Sequence, residues 1–331
     1  MQFRSVSDLQ KLIVSSLHRL PDDLDIVVGI PRSGLMAAAL VALAKQLPLA
    51  DVQGFCEGRV LSAGRTRRVP SLDITVADCR HALVFDDSVA SGGSMAEARV
   101  LLERAWPNKR FTYCAAYGEA GLDFSVTILE QVPQPRFFEW NIMNHPLLAE
   151  ACVDIDGVLC HDPTDRQNDD GANYIEFLLS APALHTPRKR IGALVTSRLE
   201  KYRSQTETWL ARHGIQYDRL IMLDLPDMKT RQLLASHGSF KGNFYKESSA
   251  RLFIESEFSQ AVQIARISGK PVFSIEQMQL VRPDQLSITS LTNNARSQFR
   301  SITRQNLLRL LGRKRFEQLK RFVRGQELSR N

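Results

Sequence analysis

Short, unbroken apolar runs alternate along the chain with polar glycine-bearing turns and longer stretches of helical character. Residues 25–30 (DIVVGI) form a β-branched apolar run, which predicts a strand buried on both faces. Pro31–Gly34 punctuate it, and the Ala/Leu-rich segment 35–47 predicts a helix. Residues 54–70 (GFCEGRVLSAGRTRRVP) have no periodicity and predict a mobile basic loop. A second buried strand is predicted at 81–85 (HALVF), a polar turn over Asp86–Ser94, and a helix at 95–104. Gln131–Arg136 (QVPQPR) and 144–146 interrupt the pattern, which then restarts. Strands are predicted at 151–155, 191–195, 220–223, 251–255 and 271–275, with a helix at 200–213. Strand–loop–helix alternation of this kind predicts α/β architecture: two domains, 1–147 and 148–285, each a mainly parallel sheet flanked by helices. The remainder, 286–331, reads as a basic amphipathic helical tail, with Leu308, Leu311, Leu319 and Phe322 near one helical face.

Composition narrows this picture little. The 331 residues suit two domains, and 44% hydrophobic with 24% charged residues excludes collagenous, mucin-like and wholly disordered classes. No apolar run reaches the ~20 residues that span a bilayer, and the N-terminus lacks a signal-peptide pattern, so export by that route is not expected. Five cysteines without a CxxC pair argue against a disulfide framework or structural zinc and fit a cytoplasmic location. Charge changes the picture more. The net +7 is concentrated from Arg296 onward, where eleven basic residues face two acidic ones; the rest holds 32 basic and 34 acidic residues. Any anionic partner therefore belongs to the tail. Basic charge opposite Phe and Leu is the pattern of an interfacial helix on an anionic membrane surface, which predicts a peripheral location on the inner face of the membrane. A helix packed back on the body and a nucleic-acid arm are the other readings of that pattern; no nucleic acid partner is expected.

The first cluster with chemical content is HALVFDDSVASGGSM. An apolar strand runs into Asp86 and Asp87, and a Ser/Ala/Gly loop then opens a helix. Such a loop presents backbone N–H groups to a phosphate at a helix N-terminus, and Gly92 and Gly93 allow close approach. Two carboxylates just before a phosphate cradle make sense if they accept hydrogen bonds from vicinal hydroxyls beside the phosphate, the layout of ribose 5-phosphate. These residues resemble the type I phosphoribosyltransferase family. The resemblance implies that Asp86 and Asp87 hold the ribose 2′- and 3′-hydroxyls, and that Ala90, Ser91, Gly92, Gly93 and Ser94 hold the 5-phosphate. The earlier turn VGIPRSG is similar to the family's diphosphate loop, with Ile30, Pro31, Arg32 and Ser33 as its backbone and Arg32 as the cation. The Arg-rich loop falls where the family has a flexible hood, which makes Arg59, Arg65, Arg67 and Arg68 candidates to close over phosphoribosyl diphosphate (PRPP). No nucleobase-binding pattern follows Met95.

The second cluster, ACVDIDGVLC (151–160), ends a strand in Asp154, with Asp156 two residues on and Gly157 breaking the strand. It resembles the first motif of haloacid dehalogenase-like (HAD-like) phosphatases, Rossmannoid enzymes. The resemblance implies Asp154 as nucleophile and Asp156 as general acid and then base. ALVTSR places Thr196 to bind the phosphoryl group, and FYKE offers Lys246 as the neutralising cation, with Lys241 as second candidate. LFIESE offers Glu255 and Glu257 as Mg²⁺ ligands beside Asp154 and Asp156, hard oxygens of the type Mg²⁺ takes. About 40 residues separate Asp154 from Thr196 and about 50 separate Thr196 from Lys246, which leaves no room for a large cap once the core helices are placed. Uncapped members act on large substrates.

Together the two resemblances point to one chain similar to the bifunctional PRPP-dependent ribofuranosyltransferases of bacterial polysaccharide assembly. The first domain would transfer ribose 5-phosphate to a saccharide acceptor, lipid-linked if the tail lies on a membrane. The second would remove the 5-phosphate. Displacement at the α-anomeric donor gives a β-ribofuranosyl product. Nucleobase salvage followed by nucleotide dephosphorylation is the alternative, and a regulatory PRPP-binding protein is a third reading.

Overall fold

The structure is a computed structural model that describes residues 1–61, 74–119, 125–227, 230 and 237–285. The chain divides into two compact units, Met1–Pro146 and Leu147–Asn331. Arg65, Arg67, Arg68 and the whole basic tail lie outside the described residues.

The first unit is built on a five-stranded parallel sheet in the order β3-β2-β4-β5-β6, from β2 (Ile26–Gly29), β3 (Leu49–Asp51), β4 (His81–Ser88), β5 (Arg110–Gly118) and β6 (Val126–Gln131). Period-two alternation sorts its side chains onto two faces. Val27, Leu83 and Phe85 pack with α1 (Val6–Ser16) and α2 (Ser33–Lys45); Ile26, Val28, Ala82 and Val84 pack with α3 (Val52–Cys56) and α4 (Gly93–Ala105). The close crossing of α2 over β2 needs Gly29, where a Cβ would come within 2.7 Å of the Leu35 backbone. A parallel two-stranded ribbon, β1 (Gln2–Arg4) with β7 (Arg136–Phe138), completes the unit.

Three details correct the sequence reading. Strand β4 stays paired with β5 through Asp86↔Ala115 and Ser88↔Tyr117, so Asp86 and Asp87 lie in the strand and not in the turn. Helix α2 begins at Ser33, not 35. Gly54, Phe55 and Cys56 form part of α3 and not of a loop: the Asp51 carboxylate caps the helix by accepting from the Gly54 N–H at 2.8 Å, and Phe55 is fully buried.

The second unit holds a six-stranded sheet in the order β10-β9-β8-β11-β12-β13, parallel except for the last pair. Its strands are β8 (Ala151–Val153), β9 (Ile191–Leu199), β10 (Tyr217–Leu223), β11 (Leu252–Glu255), β12 (Val272–Ser274) and β13 (Gln279–Val281). Helices α5 (Ala172–Ser180) and α6 (Arg203–Arg212) join the first three strands in sequence. Helices α7 (His237–Glu247) and α8 (Phe258–Ser268) pack on one sheet face through Tyr245, Ala261 and Ile264 against Cys152, Val195 and Phe253. Among the described residues no helix is long and apolar enough to cross a membrane.

In both units the strand order reverses beside a central strand: at β2/β4 in the first and at β8 in the second. Loops leave such a point in opposite directions and open a crevice outside the carboxyl ends of the strands, the usual ligand position in an open α/β sheet. Both motif clusters fall at these ends.

Candidate functional site

In the first unit the loop after β2 and the end of β4 meet. The Ile30 N–H donates to the Phe85 carbonyl at 3.1 Å, and the Pro31–Arg32 peptide is cis. Pro31 and Arg32 are exposed, and Ser33 opens α2. The Ser33 hydroxyl donates to Asp87 Oδ1 at 2.8 Å, which fastens the first loop to the acidic pair. Gly34 sits so close that a Cβ there would lie 2.4 Å from Asp86 Oδ1, so the glycine of PRSG is a requirement of this junction.

Asp86 and Asp87 are only 8% and 4% exposed. Asp86 Oδ1 accepts the Asp87 N–H at 2.9 Å. Burial, and after it the neighbouring Asp87, pushes the Asp86 carboxyl up to about 8. Near neutral pH Asp86 can therefore hold a proton and donate a hydrogen bond beside the Asp87 carboxyl. A donor beside an acceptor suits a vicinal diol. The second loop leaves β4 with Val89 buried and Ala90, Ser91, Gly93 and Ser94 exposed. Gly92, at φ +81°, takes the left-handed turn into α4 that a side chain would strain. The thirteen-residue α4 thus starts with exposed backbone donors at its N-terminus. Arg59 is exposed and ion-paired to Glu57.

Sequence reasoning missed Trp140, the residue of this unit that completes the acidic pair. Its indole N–H donates to Asp87 Oδ2 at 2.8 Å. Nothing in the local sequence signals this, because the contact spans the whole unit.

In the second unit, β8, β9 and β11 deliver Asp154, Thr196 and Glu255 to one end of the sheet. Asp154 Oδ1 accepts the Ile155 N–H at 2.8 Å, and Oδ2 accepts from Lys241 Nζ at 2.7 Å. The same ammonium donates to Glu255 Oε2 at 2.9 Å and to Gln260 at 3.3 Å. The cation beside Asp154 is therefore Lys241, not Lys246. Lys246 is exposed five residues further along α7, off the buried stripe of Gly238, Lys241, Gly242 and Tyr245. Desolvation works against the Lys241 ammonium, but Asp154 and Glu255 outweigh it and hold its pKa above the ordinary lysine range. Burial pushes Asp154 up, with Glu255 and Asp156 acting in the same direction and Lys241 opposing them.

Asp156 is gripped by Arg198, whose side chain is fully buried. The guanidinium donates through Nη2 to Oδ1 at 2.6 Å and through Nε to Oδ2 at 3.1 Å. Oδ1 also faces the Cys160 thiol at 3.5 Å. The signal for Arg198 was present: it lies two residues beyond Thr196, hence on the same face of β9. Gly157, at φ +72°, turns the chain where a Cβ would meet Ser256 at 2.5 Å.

Asp154, Asp156, Thr196 and Lys241 line an open cleft of about 520 Å³, together with Asp162, Asn168, Tyr174 and Glu276. Glu257 lines it, whereas Glu255 is fully buried behind Lys241, so Glu255 is withdrawn as a direct metal ligand. Among the described residues no three acidic, histidine or cysteine side chains converge as a metal cage. The donor chemistry nonetheless suits a hard dication: Asp154, Asp156, Asp162 and Glu257 line the cleft beside Lys241. Mg²⁺ keeps several waters and needs few protein oxygens.

No family model matches the chain, and no curated protein matches it. Solved structures similar to part of it include phosphoribosyltransferases. The xanthine-guanine-hypoxanthine phosphoribosyltransferase of Helicobacter pylori is 17% identical over 43% of this chain and 93% of its own, with a TM-score of 0.32. The purine phosphoribosyltransferase of Pyrococcus horikoshii Ot3 is 14% identical over 42% and 92%, TM-score 0.31. The adenine phosphoribosyltransferase of Rhodothermus marinus is 20% identical over 38% and 80%, TM-score 0.26.

Proposed function

We propose that this chain is a bifunctional enzyme that transfers ribose 5-phosphate from PRPP to a saccharide and then hydrolyses the 5-phosphate, leaving a β-ribofuranosyl group. The observation that carries the reading is the pairing, on one chain, of two chemically matched switch-point sites. One is a carboxyl pair between two phosphate-type loops. The other is a buried aspartate–lysine pair at the head of a cleft.

In the first unit, Asp86 and Asp87 would take the ribose hydroxyls, the backbone of 30–33 the diphosphate and that of 90–94 the 5-phosphate. The acceptor hydroxyl attacks C1, the C1–O bond to diphosphate breaks with its electron pair leaving on diphosphate, and the hydroxyl proton passes to the departing diphosphate. In the second unit, an Asp154 oxygen attacks phosphorus while Lys241 and Thr196 hold the phosphoryl oxygens. The phosphorus–ester oxygen bond breaks, and Asp156, oriented by Arg198, protonates the departing alkoxide. Water then attacks the aspartyl phosphate, and Asp156 takes its proton. Mg²⁺ would be held by Asp154, the Asp156 carbonyl and Glu257, supplying charge neutralisation at the phosphoryl group.

A lipid-linked acceptor follows from the amphipathic tail of 296–324, read as a helix on an anionic membrane surface at the inner face of a cytoplasmic membrane. The test is incubation of the full chain with PRPP, Mg²⁺ and candidate acceptors, read as diphosphate release and by mass spectrometry. A ribosylated saccharide supports the proposal. Formation of a nucleoside from a free base replaces it with the salvage reading, and absence of diphosphate release with every acceptor class removes the transferase.

A further inference from the structure

The two-stranded ribbon β1–β7 is fastened to the proposed pentose site at two points. Buried Arg136, at the start of β7, donates to the carbonyl of Val89 at 2.6 Å, the residue from which the second phosphate loop leaves the sheet, and to that of Val132 at 2.7 Å. Two residues beyond the strand, the half-buried Trp140 stacks on buried Phe138, rings 4.8 Å apart and 6° from parallel, and donates its indole N–H to Asp87 Oδ2 at 2.8 Å. The other oxygen of the same carboxylate accepts from Ser33 of the first loop at 2.8 Å. Three elements distant in sequence therefore meet on Asp87: the loop after β2, strand β4 and the ribbon.

Asp87 is the wrong group to hold so tightly if it served packing alone. A carboxylate that is 4% exposed keeps its charge only where donors replace its lost water. Here both donors approach in a way that leaves each oxygen a second lone pair. Asp86, by contrast, receives one main-chain N–H on a single oxygen. The pair is thus asymmetric: Asp87 is fixed in direction by the side chains of two other elements, whereas Asp86 is held by Asp87 itself and by the close approach of Gly34.

We infer that Trp140 is a positioning residue for pentose recognition, its indole N–H fixing the Asp87 carboxylate so that it meets one hydroxyl of a vicinal diol. The inference rests on the PRPP reading above and adds to it a residue outside both sequence motifs. It separates the pentose hydroxyls from the phosphates: the Trp140 N–H donates to the carboxylate and, among the described residues, to no group of either phosphate loop, so its loss should act on ligands that carry the diol and not on ligands that carry phosphate alone.

The test uses full-length protein and three variants, Trp140→Phe, Asp87→Asn and the double variant. Phenylalanine keeps an aromatic ring to stack on Phe138, though a smaller one, and removes the N–H. Ribose 5-phosphate, inorganic diphosphate and PRPP with Mg²⁺ are titrated calorimetrically. Trp140→Phe should weaken ribose 5-phosphate and PRPP about tenfold, equivalent to about 1.4 kcal/mol, and leave diphosphate unchanged. In the Asp87→Asn background the same change should have no further effect, because the two groups act as one. Equal weakening of all three ligands, or full additivity in the double variant, would overturn the inference in favour of a packing role. Separately, the indole N–H resonance that Trp140→Phe deletes should move in ligand-free Asp87→Asn; an unmoved resonance also overturns it. If the parent protein binds none of the three ligands while that resonance moves, the clamp stands and the PRPP reading fails.

Discussion

Replacing Lys241 by methionine isolates the electrostatic core of the second unit. The ammonium bridges two fully enclosed carboxyls, Asp154 at 2.7 Å and Glu255 at 2.9 Å, and methionine keeps the length of the stem while removing the charge. Two hydrogen bonds to charged groups contribute about 1.5–3 kcal/mol each, and breaking a buried pair costs about 3–5 kcal/mol because a charge is left stranded. A ceiling comes from the escape route. A stranded aspartate can take a proton, which at pH 7 costs about 4 kcal/mol for a group of ordinary value about 3.9. The expected loss is therefore about 3–4 kcal/mol. Lys246→Ala, on the exposed side of the same helix, should change stability by no more than about 0.5 kcal/mol. Urea unfolding followed by fluorescence reads this if Trp106→Phe and Trp140→Phe are built in, because fully buried Trp209 then reports the second unit alone. At an m-value of about 2 kcal/mol/M the midpoint should fall by about 2 M for Lys241→Met and hardly at all for Lys246→Ala. Adding Glu255→Gln to Lys241→Met removes one stranded acid and should recover part of the loss. Equal midpoints for the two single variants would refute the placement of Lys241, and no recovery in the double variant would refute its cause.

In the first unit the Asp86 carboxyl is raised to about 8 by burial and by Asp87. A carboxyl whose folded value exceeds its unfolded value of about 3.9 contributes fully below that value, and its contribution is lost as pH rises through about 8. Asp86→Asn should accordingly be near neutral for stability at pH 4 and stabilising at pH 9, by up to about 5 kcal/mol, measured as melting temperature against pH; a constant difference across that range would contradict it. Gly157→Ala should destabilise the second unit by about 2 kcal/mol or more, since it combines a left-handed φ with a Cβ 2.5 Å from Ser256; calorimetry reads it, and a neutral result would mean that the turn after Asp156 relaxes freely. Arg198→Met should cost about 3 kcal/mol by stranding Asp156 and slow hydrolysis of a phosphomonoester; an unchanged rate would remove Asp156 from the proton-transfer role.

The parts of this molecule that could be read from the chain are those whose cause is local. Apolar runs ending in Asp87 and Asp154 mark strands whose tips open at a crevice, because a polar residue closing a two-faced buried strand has few other places to be. The choice between Lys241 and Lys246 was not open to local reasoning. Gly238 and Gly242 mark the face of α7 that meets α8, where Cβ atoms would lie 2.2 Å from Gln263 and 2.9 Å from Ile267. Lys241 is three residues from the first glycine and Lys246 four from the second, so helical spacing places both near that face, and only the packing of α7 on the sheet buries Lys241 and exposes Lys246. What could not be read depends on pairing across the sheet. The extension of β4 through Asp86 and Asp87 is set by β5, a strand whose sequence RFTYCAAYG announces nothing by itself. Trp140 reaches Asp87 only because Arg136–Phe138 pairs with Gln2–Arg4, more than 130 residues earlier in the chain. Glu255 and Glu257 look equivalent in LFIESE; the register of β11 beside β8 buries the first and leaves the second on the cleft.

The central claim is that two chemistries act in order on one ligand, and Asp154→Asn tests it most directly. The substitution keeps the size of the side chain and removes the attacking oxygen anion. Full-length Asp154→Asn protein, given PRPP, Mg²⁺ and an acceptor that the parent protein ribosylates, is analysed by mass spectrometry after diphosphate release is complete. The account predicts undiminished diphosphate release and a product heavier than the parent's by one phosphoryl group, which the parent protein added afterwards converts to the lighter product. A variant that releases no diphosphate, or that yields the dephosphorylated product unaided, would contradict it.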